Sequence, residues 1–217
     1  MSLLPKSQKE FSDPVYWKKF FDKHDTPFEW YGDYSQLSCI LDKYIKLSDT
    51  ILQIGCGNSQ LSEQLYDNGF RNVTSIDTDP RVIKSHKTNN ARKRPELVFE
   101  CRSAADTGLT DESVNVVLDK GTTDALLPLD ASPAQRALVA DVFAEVERCL
   151  RPLGRFVVVT LAQAHIVHTL LEHFHARRRA LIRVQKCELA DKDFVMPVFV
   201  FVITKLKTPL PIVPVSC

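Results

Sequence analysis

Asp49-Thr50-Ile51-Leu52-Gln53-Ile54-Gly55-Cys56-Gly57-Asn58-Ser59 decides how the rest of this chain is read. A short apolar strand runs straight into a tight glycine turn, and the spacing predicts a helix opening at Asn58 or Ser59. The strand has no polar alternation, the mark of a parallel strand covered on both faces in an α/β sheet. Gly55 and Gly57 let backbone approach a ligand with no Cβ in the way. The helix that follows turns its free N–H groups toward whatever sits above the strand. The stretch therefore predicts a nucleotide-type pocket.

Working outward, Asp13-Pro14 reads as an N-cap with proline at the first helical position. Val15, Tyr16, Trp17, Phe20 and Phe21 then repeat at helical spacing, and Phe28-Glu29-Trp30-Tyr31-Gly32 forms an aromatic loop. These aromatics either pack on the domain or form a lid over the pocket. A helix over Tyr34 to Ile45 leads into the organising strand. Beyond it, Leu61, Leu65 and Tyr66 mark a helix ended by Gly69, and Val73 to Asp77 is the next strand. Pro80 starts a helix to about Ala91, Leu97 to Cys101 is a third strand, and Val114 to Leu118 a fourth, running into Asp119-Lys120-Gly121-Thr122-Thr123-Asp124. Ser132-Pro133 opens a helix with Leu138, Val139, Val142, Phe143, Val146 and Leu150 on one face. The strand Arg155 to Leu161, a helix from Gln163 to His175, and strands Leu181 to Cys187 and Pro197 to Lys205 complete the pattern.

Alternating β and α elements predict an α/β fold with a doubly wound, mostly parallel sheet. The last two strands, joined without a helix, add an antiparallel edge hairpin. The chain reads as one domain over 1–217, with N-terminal lid helices over 1–48, a core over 49–207 and an irregular tail over 208–217.

With 28 basic and 27 acidic residues among 217, the net charge is +1, which argues against a broad nucleic-acid-binding face. Arg177-Arg178-Arg179 reads as a solvated helix end. Six cysteines lie far apart with no C-x-x-C pair, so zinc-ligand and dense disulfide patterns are absent. No apolar run is long enough to span a bilayer, and no apolar h-region follows Met1-Ser2-Leu3-Leu4-Pro5-Lys6. The expected compartment is reducing and cytoplasmic, with no membrane partner. His165 and His168 share a helix face at i, i+3, but no acidic or cysteine partner accompanies them, so no metal site is expected.

A dinucleotide fold would place glycine at position 60, where this chain has Gln60, and a Walker A loop is absent. Asp77 ends its strand 20 positions past Gly57, where a carboxylate can accept hydrogen bonds from both ribose hydroxyls. A short glycine turn with a ribose carboxylate and no diphosphate cradle suits S-adenosylmethionine.

Ile51-Leu52-Gln53-Ile54-Gly55-Cys56-Gly57-Asn58-Ser59 and Asp119-Lys120-Gly121-Thr122 resemble the seven-β-strand, class I methyltransferases. Within that class the chain is similar to eukaryotic protein lysine methyltransferases with a D-K-G-T signature. Leu3-Leu4-Pro5-Lys6, Phe28 to Gly32 and Leu161-Ala162-Gln163-Ala164-His165 narrow the resemblance to those acting on translation elongation factor 1-alpha. The resemblance implies a seven-stranded sheet with one antiparallel strand, S-adenosyl-L-methionine as cofactor, and a lysine of that factor as substrate. It implies that Trp17, Phe21 and Trp30 line the cofactor pocket, with Gly55 as the motif glycine, Asp77 and Thr78 at the ribose, and Lys120 beside the cofactor. Where the subgroup usually has an acidic residue near the adenine, this chain has Ser103-Ala104. The Ser103 hydroxyl can still hydrogen-bond, and Asp106 can substitute only if the loop shifts.

Methyl transfer to lysine asks the protein to align an amine with the methyl group and to help the ammonium lose its proton. The candidates for the substrate end are Asp119, Glu29 and Tyr31. A small-molecule methyltransferase and a non-catalytic binding module with this fold remain as alternatives.

Overall fold

The computed structural model describes residues 13–23, 26–175, 179–187 and 197–209. The expected amino-terminal segment Met1 to Lys6, Arg177-Arg178 and the tail beyond residue 209 lie outside the described residues.

At the centre is β1 (Ile51–Ile54), buried at all four positions, as its unbroken apolar character predicts. It pairs in parallel with β2 (Val73–Asp77) on one side and β4 (Val114–Lys120) on the other. β3 (Val98–Cys101), β5 (Leu150–Thr160), β6 (Ala180–Cys187) and β7 (Val198–Lys205) complete a seven-stranded sheet in the order β3-β2-β1-β4-β5-β7-β6. β7 runs antiparallel to both β5 and β6 and lies between them, so β6 is the outer strand of the hairpin. This is the expected fold, with strand order reversing beside β1, where α/β sheets form their ligand crevice.

Helices cover both faces. Val116 and Leu118 of β4 and Val157 and Val159 of β5 pack toward α2 (Tyr34–Tyr44) and α3 (Leu61–Asp67). On the other face, Val117 and Val158 pack with Val139, Val142, Phe143 and Val146 of α6 (Pro133–Cys149) and with α7 (Ala164–Leu170). Residues adjacent in a strand thus enter different layers, the period-two rule of a pleated sheet. α4 (Pro80–Asn90) buries Val82 and Ile83 against Phe99. The aromatic α1 (Pro14–Lys23) precedes all of these.

Local details depart from expectation in four places. α3 starts at Leu61 rather than Asn58 or Ser59. A short α5 (Thr122–Leu126) occupies the segment after β4. β5 begins at Leu150, through Pro152 and Gly154, with Leu153 in the left-handed region at φ 68°. The helix expected to reach His175 is α-helical only to Leu170 and ends in a π-type turn, Leu171–His175.

Candidate active site

Above the carboxyl ends of β1, β2 and β4 lies a cavity of about 720 Å³, within the range of small-molecule sites. Its floor is the glycine turn. Gly55 and Gly57 have φ of 57° and 51°, the left-handed region that L side chains rarely adopt. A Cβ on Gly55 would collide with the Thr122 side chain, which donates its hydroxyl to the Ile54 carbonyl at 2.9 Å. A Cβ on Gly57 would come within 3.3 Å of the Phe21 ring. Close approach and φ together demand glycine at 55, whereas at 57 the demand comes chiefly from φ.

Asp77 closes the cavity at the end of β2. One carboxylate oxygen accepts from the Gly57 N–H at 2.8 Å and the other from the Asp79 N–H at 2.9 Å. Burial pushes its carboxyl above the ordinary carboxylate range against those two donors. Each oxygen has a further lone pair, so two hydroxyl donors from a ribose would supply what burial removes. The residues present therefore fit an adenosyl ligand.

The lid resolves the choice between core and cover in favour of both. Trp17, Phe21, Phe28 and Trp30 line the cavity. Their rings also hold one another, with Trp17 and Trp30 5.5 Å apart at 78° and Phe28 and Trp30 4.9 Å apart at 65°. Edge-to-face pairs of this kind add to the area they bury. Arg81 fastens α1 to the start of α4, pairing with Asp22 and donating to the Lys18 carbonyl at 3.1 Å.

A buried ion pair locks the aromatic loop onto the sheet. Lys120 Nζ donates to Glu29 at 2.9 Å and to the Trp30 carbonyl at 2.8 Å. Burial lowers the Lys120 ammonium's pKa, with Glu29 acting against that loss. Glu29 also accepts from Ser59 Oγ at 2.7 Å and the Gln60 N–H at 2.6 Å. This long-range carboxylate holds the Gln60 N–H at the N-cap and the Ser59 hydroxyl, whose oxygen accepts from the Leu61 N–H that opens α3, which is why that helix starts later than local sequence suggests.

Of the expected cofactor residues, Trp17, Phe21, Trp30, Gly55, Gly57, Asp77, Thr78, Ser103, Ala104 and Lys120 all line this cavity. Ser103 Oγ accepts from the Ala105 N–H at 3.1 Å, and Asp106 is exposed and outside the lining. The three expected substrate-end residues stand behind the cavity wall. Asp119 is fully buried and caps α5, accepting from the Thr122 and Thr123 N–H groups at 2.7 and 3.0 Å and from the Thr123 hydroxyl. Tyr31 is 3% exposed, sits at φ 63° and packs against Gly121. Glu29 is the connector just described. Asp119 and Glu29 brace the wall, their carboxylate oxygens accepting from the loops that build it, and Tyr31 packs behind it against Gly121.

Several lining residues went unread in the sequence. Leu138 and Val142 of α6 read only as a core stripe, and Lys18, Arg81 and Arg102 carry no sequence signal, yet all border the cavity. The i, i+4 spacing of Leu138 and Val142 was the available signal, since the helix's first half overhangs the strand ends.

Comparison with known proteins places these features in context. A family model described as a methyltransferase domain matches residues 45–201. An eEF1A lysine and N-terminal methyltransferase of Danio rerio is 46% identical over 97% of the chain, and the Homo sapiens protein of that name is 43% identical over 97%. The chain spans 31% of the length of each of these relatives. EEF1A lysine methyltransferase 4 of Mus musculus is 36% identical over 75% of the chain and 66% of its own length. Among solved structures, the N-methyltransferase NodS of Bradyrhizobium japonicum in complex with S-adenosyl-L-homocysteine aligns with a TM-score of 0.59. It is 16% identical, covering 93% of this chain and 96% of its own.

Proposed function

The chain belongs to the methyltransferase-domain family, and on that premise we propose that it binds S-adenosyl-L-methionine in the cavity above β1 and methylates a lysine side chain of a protein, translation elongation factor 1-alpha. The observation that carries the reading is the pairing of the glycine turn with Asp77, whose carboxylate is aimed by the Gly57 N–H. The names of relatives at 42–46% identity support the substrate.

When bound, the cofactor supplies a methyl carbon on a sulfonium, whose transfer leaves a neutral thioether. The chain's residues supply alignment and exclusion of water. Asp77 and the glycine turn hold the ribose with Thr78 beside it, and Ser103 and Ala104 border the adenine position. Trp17, Phe21, Phe28 and Trp30 close over the site, so an entering lysine amine leaves water for an aromatic surround. That desolvation lowers the amine's pKa from its free value of about 10.4 and exposes its lone pair. The Lys120 charge, which would repel the incoming ammonium, is matched by Glu29. A reducing, cytoplasmic setting suits a protein whose described cysteines are all free thiols.

Labelled methyl transfer from S-adenosylmethionine into purified elongation factor 1-alpha tests the proposal. Label should enter the factor and disappear when the modified lysine becomes arginine. Label that enters only a small-molecule fraction would refute the protein-lysine reading.

A further inference from the structure

His86 lies outside the cavity and is untouched by the reading above, yet it grips the glycine turn from behind. It is 7% exposed on α4, stacked on Phe99 with ring centroids 4.6 Å apart and planes within 3°. Nδ1 lies 2.9 Å from Glu63 Oε1 of α3, and Nε2 lies 2.8 Å from the Gly57 carbonyl oxygen. Both neighbours are pure acceptors. A neutral imidazole has one N–H and would set a lone pair against one of them, whereas the imidazolium donates to both.

Gly57 is therefore held at both ends, its N–H on Asp77 and its carbonyl on His86. We propose that His86, as an imidazolium anchored by Glu63, is the positioning residue that fixes the Gly57 peptide and through it aims the Asp77 carboxylate at the cofactor ribose, which makes cofactor affinity pH-dependent. The proposal rests on the cofactor reading of the cavity.

The charges around the ring support this. Glu63 faces it from α3 and Asp77 from β2, with Lys93 and Arg94 on the rim of the polar pocket that His86 borders. The Cys56 thiol nearby is pushed up by burial and stays neutral. Burial opposes the His86 charge, but the bond and charge of Glu63, with the Gly57 carbonyl and Asp77, outweigh it and hold its pKa above the ordinary value. Glu63 is held below its ordinary value, where burial is outweighed by His86 and by the Asn90 amide at 2.9 Å. A histidine raised in this way keeps both bonds below its raised value and loses one as pH climbs through it. Cofactor affinity should fall on the alkaline side.

The variant Glu63→Gln separates positioning from mere packing. With the Asn90 amide, which donates to the same Glu63 oxygen, turned away, the side-chain amide it introduces donates to Nδ1, so neutral His86 keeps its Nε2–H on Gly57 and the turn stays held at every pH. Titration calorimetry with S-adenosylhomocysteine should show the wild-type Kd weakening about tenfold on the alkaline side, the scale of one hydrogen bond to a charged group. Glu63→Gln should show a flat profile. His86→Phe combined with Glu63→Leu, which leaves no buried charge unpaired, should raise Kd and the cofactor KM at all pH values with kcat little changed. Identical pH profiles for wild type and Glu63→Gln, or wild-type affinity in the double variant, would overturn the proposal. In cofactor-free protein, ring-nitrogen NMR should find His86 as imidazolium at neutral pH, with Gly57 amide-exchange protection falling as the ring titrates. A neutral ring, or protection indifferent to its titration, would overturn the proposal. Absence of wild-type binding at any pH would instead overturn the cofactor reading, while the cofactor-free measurement still decides whether His86 holds the turn.

Discussion

Asp124 offers the sharpest test of how the cavity wall is built. It sits on α5, buried, with Oδ1 accepting from Thr160 Oγ1 at 2.9 Å and the Leu161 N–H at 3.3 Å. Its other oxygen is buried and has no hydrogen-bond partner among the described residues. Asp119, nearby, holds three donors. The Asp119 charge disfavours a second charge on Asp124, so of this buried pair the proton resides on Asp124, which has fewer donors. Burial first, and the Asp119 charge second, push Asp124 from 3.8 up to about 7. Below about pH 4 both folded and unfolded chains carry this proton and the group costs nothing. As pH rises toward 7, the unfolded chain gives the proton up while the folded chain retains it, so stability falls. Above about pH 7 the full penalty applies, about 4 kcal/mol at 1.36 kcal/mol per pKa unit.

Asp124→Asn keeps an acceptor for Thr160 and Leu161 and removes the charge. Urea unfolding, followed by tryptophan fluorescence, should give the variant an advantage that grows by about 2 to 3 kcal/mol between roughly pH 5 and pH 8.5. The six histidines and other titrating groups cancel in that comparison. A difference between the two proteins that stays constant with pH, or moves the other way, would refute the protonated-pair assignment.

Three further outcomes follow from the same geometry. Asp77→Ala should abolish most of the rise in Tm that S-adenosylmethionine gives the wild type, and a retained shift would move the ribose contact elsewhere. Glu29→Ala strands the buried Lys120 ammonium and should cost about 3 to 5 kcal/mol of unfolding free energy. Lys120→Met, which leaves Glu29 its Ser59 and Gln60 donors, should cost less, and the reverse order in denaturant melts would contradict the arrangement. Gly55→Ala should harm cofactor binding more than Gly57→Ala in calorimetry, because its Cβ meets the Thr122 side chain while that of Gly57 meets only the rim of Phe21.

Much of this was legible before any coordinates because its causes are local. An unbroken apolar strand entering Gly55-Cys56-Gly57, a carboxylate closing the next strand, and two terminal strands without a helix between them each follow from short-range rules. What escaped the sequence depends on distant partners. The start of α3 waits on Glu29, 31 residues before the Gln60 N–H that its carboxylate takes. α5 has a local cause, the Asp119 carboxylate three residues before Thr122, but a five-residue helix has no periodicity to read. The role of Asp119 was recoverable. Alternation along β4 sends Val117 and Asp119 to one layer and Val116, Leu118 and Lys120 to the other, so only one of two adjacent charged residues could face the lid. Strand-end position alone favoured both equally.

That parity bears on the chemistry. Glu29 holds Lys120, Asp119 caps α5 and Asp124 holds its proton toward neutral pH, and none of these three lines the cavity; the acids that do, Asp77 and Asp79, stand at the end of β2. A carboxylate beside the acceptor would attract the lysine but raise its pKa, holding the proton where the reaction needs it gone. Phe28, Trp30, Leu126, Leu138 and Val142 instead give the rest of the wall an aromatic and aliphatic surface. On this reading Glu29, Asp119 and Asp124 serve by fixing the walls from outside, and the apolar part of the cavity favours proton loss by desolvation.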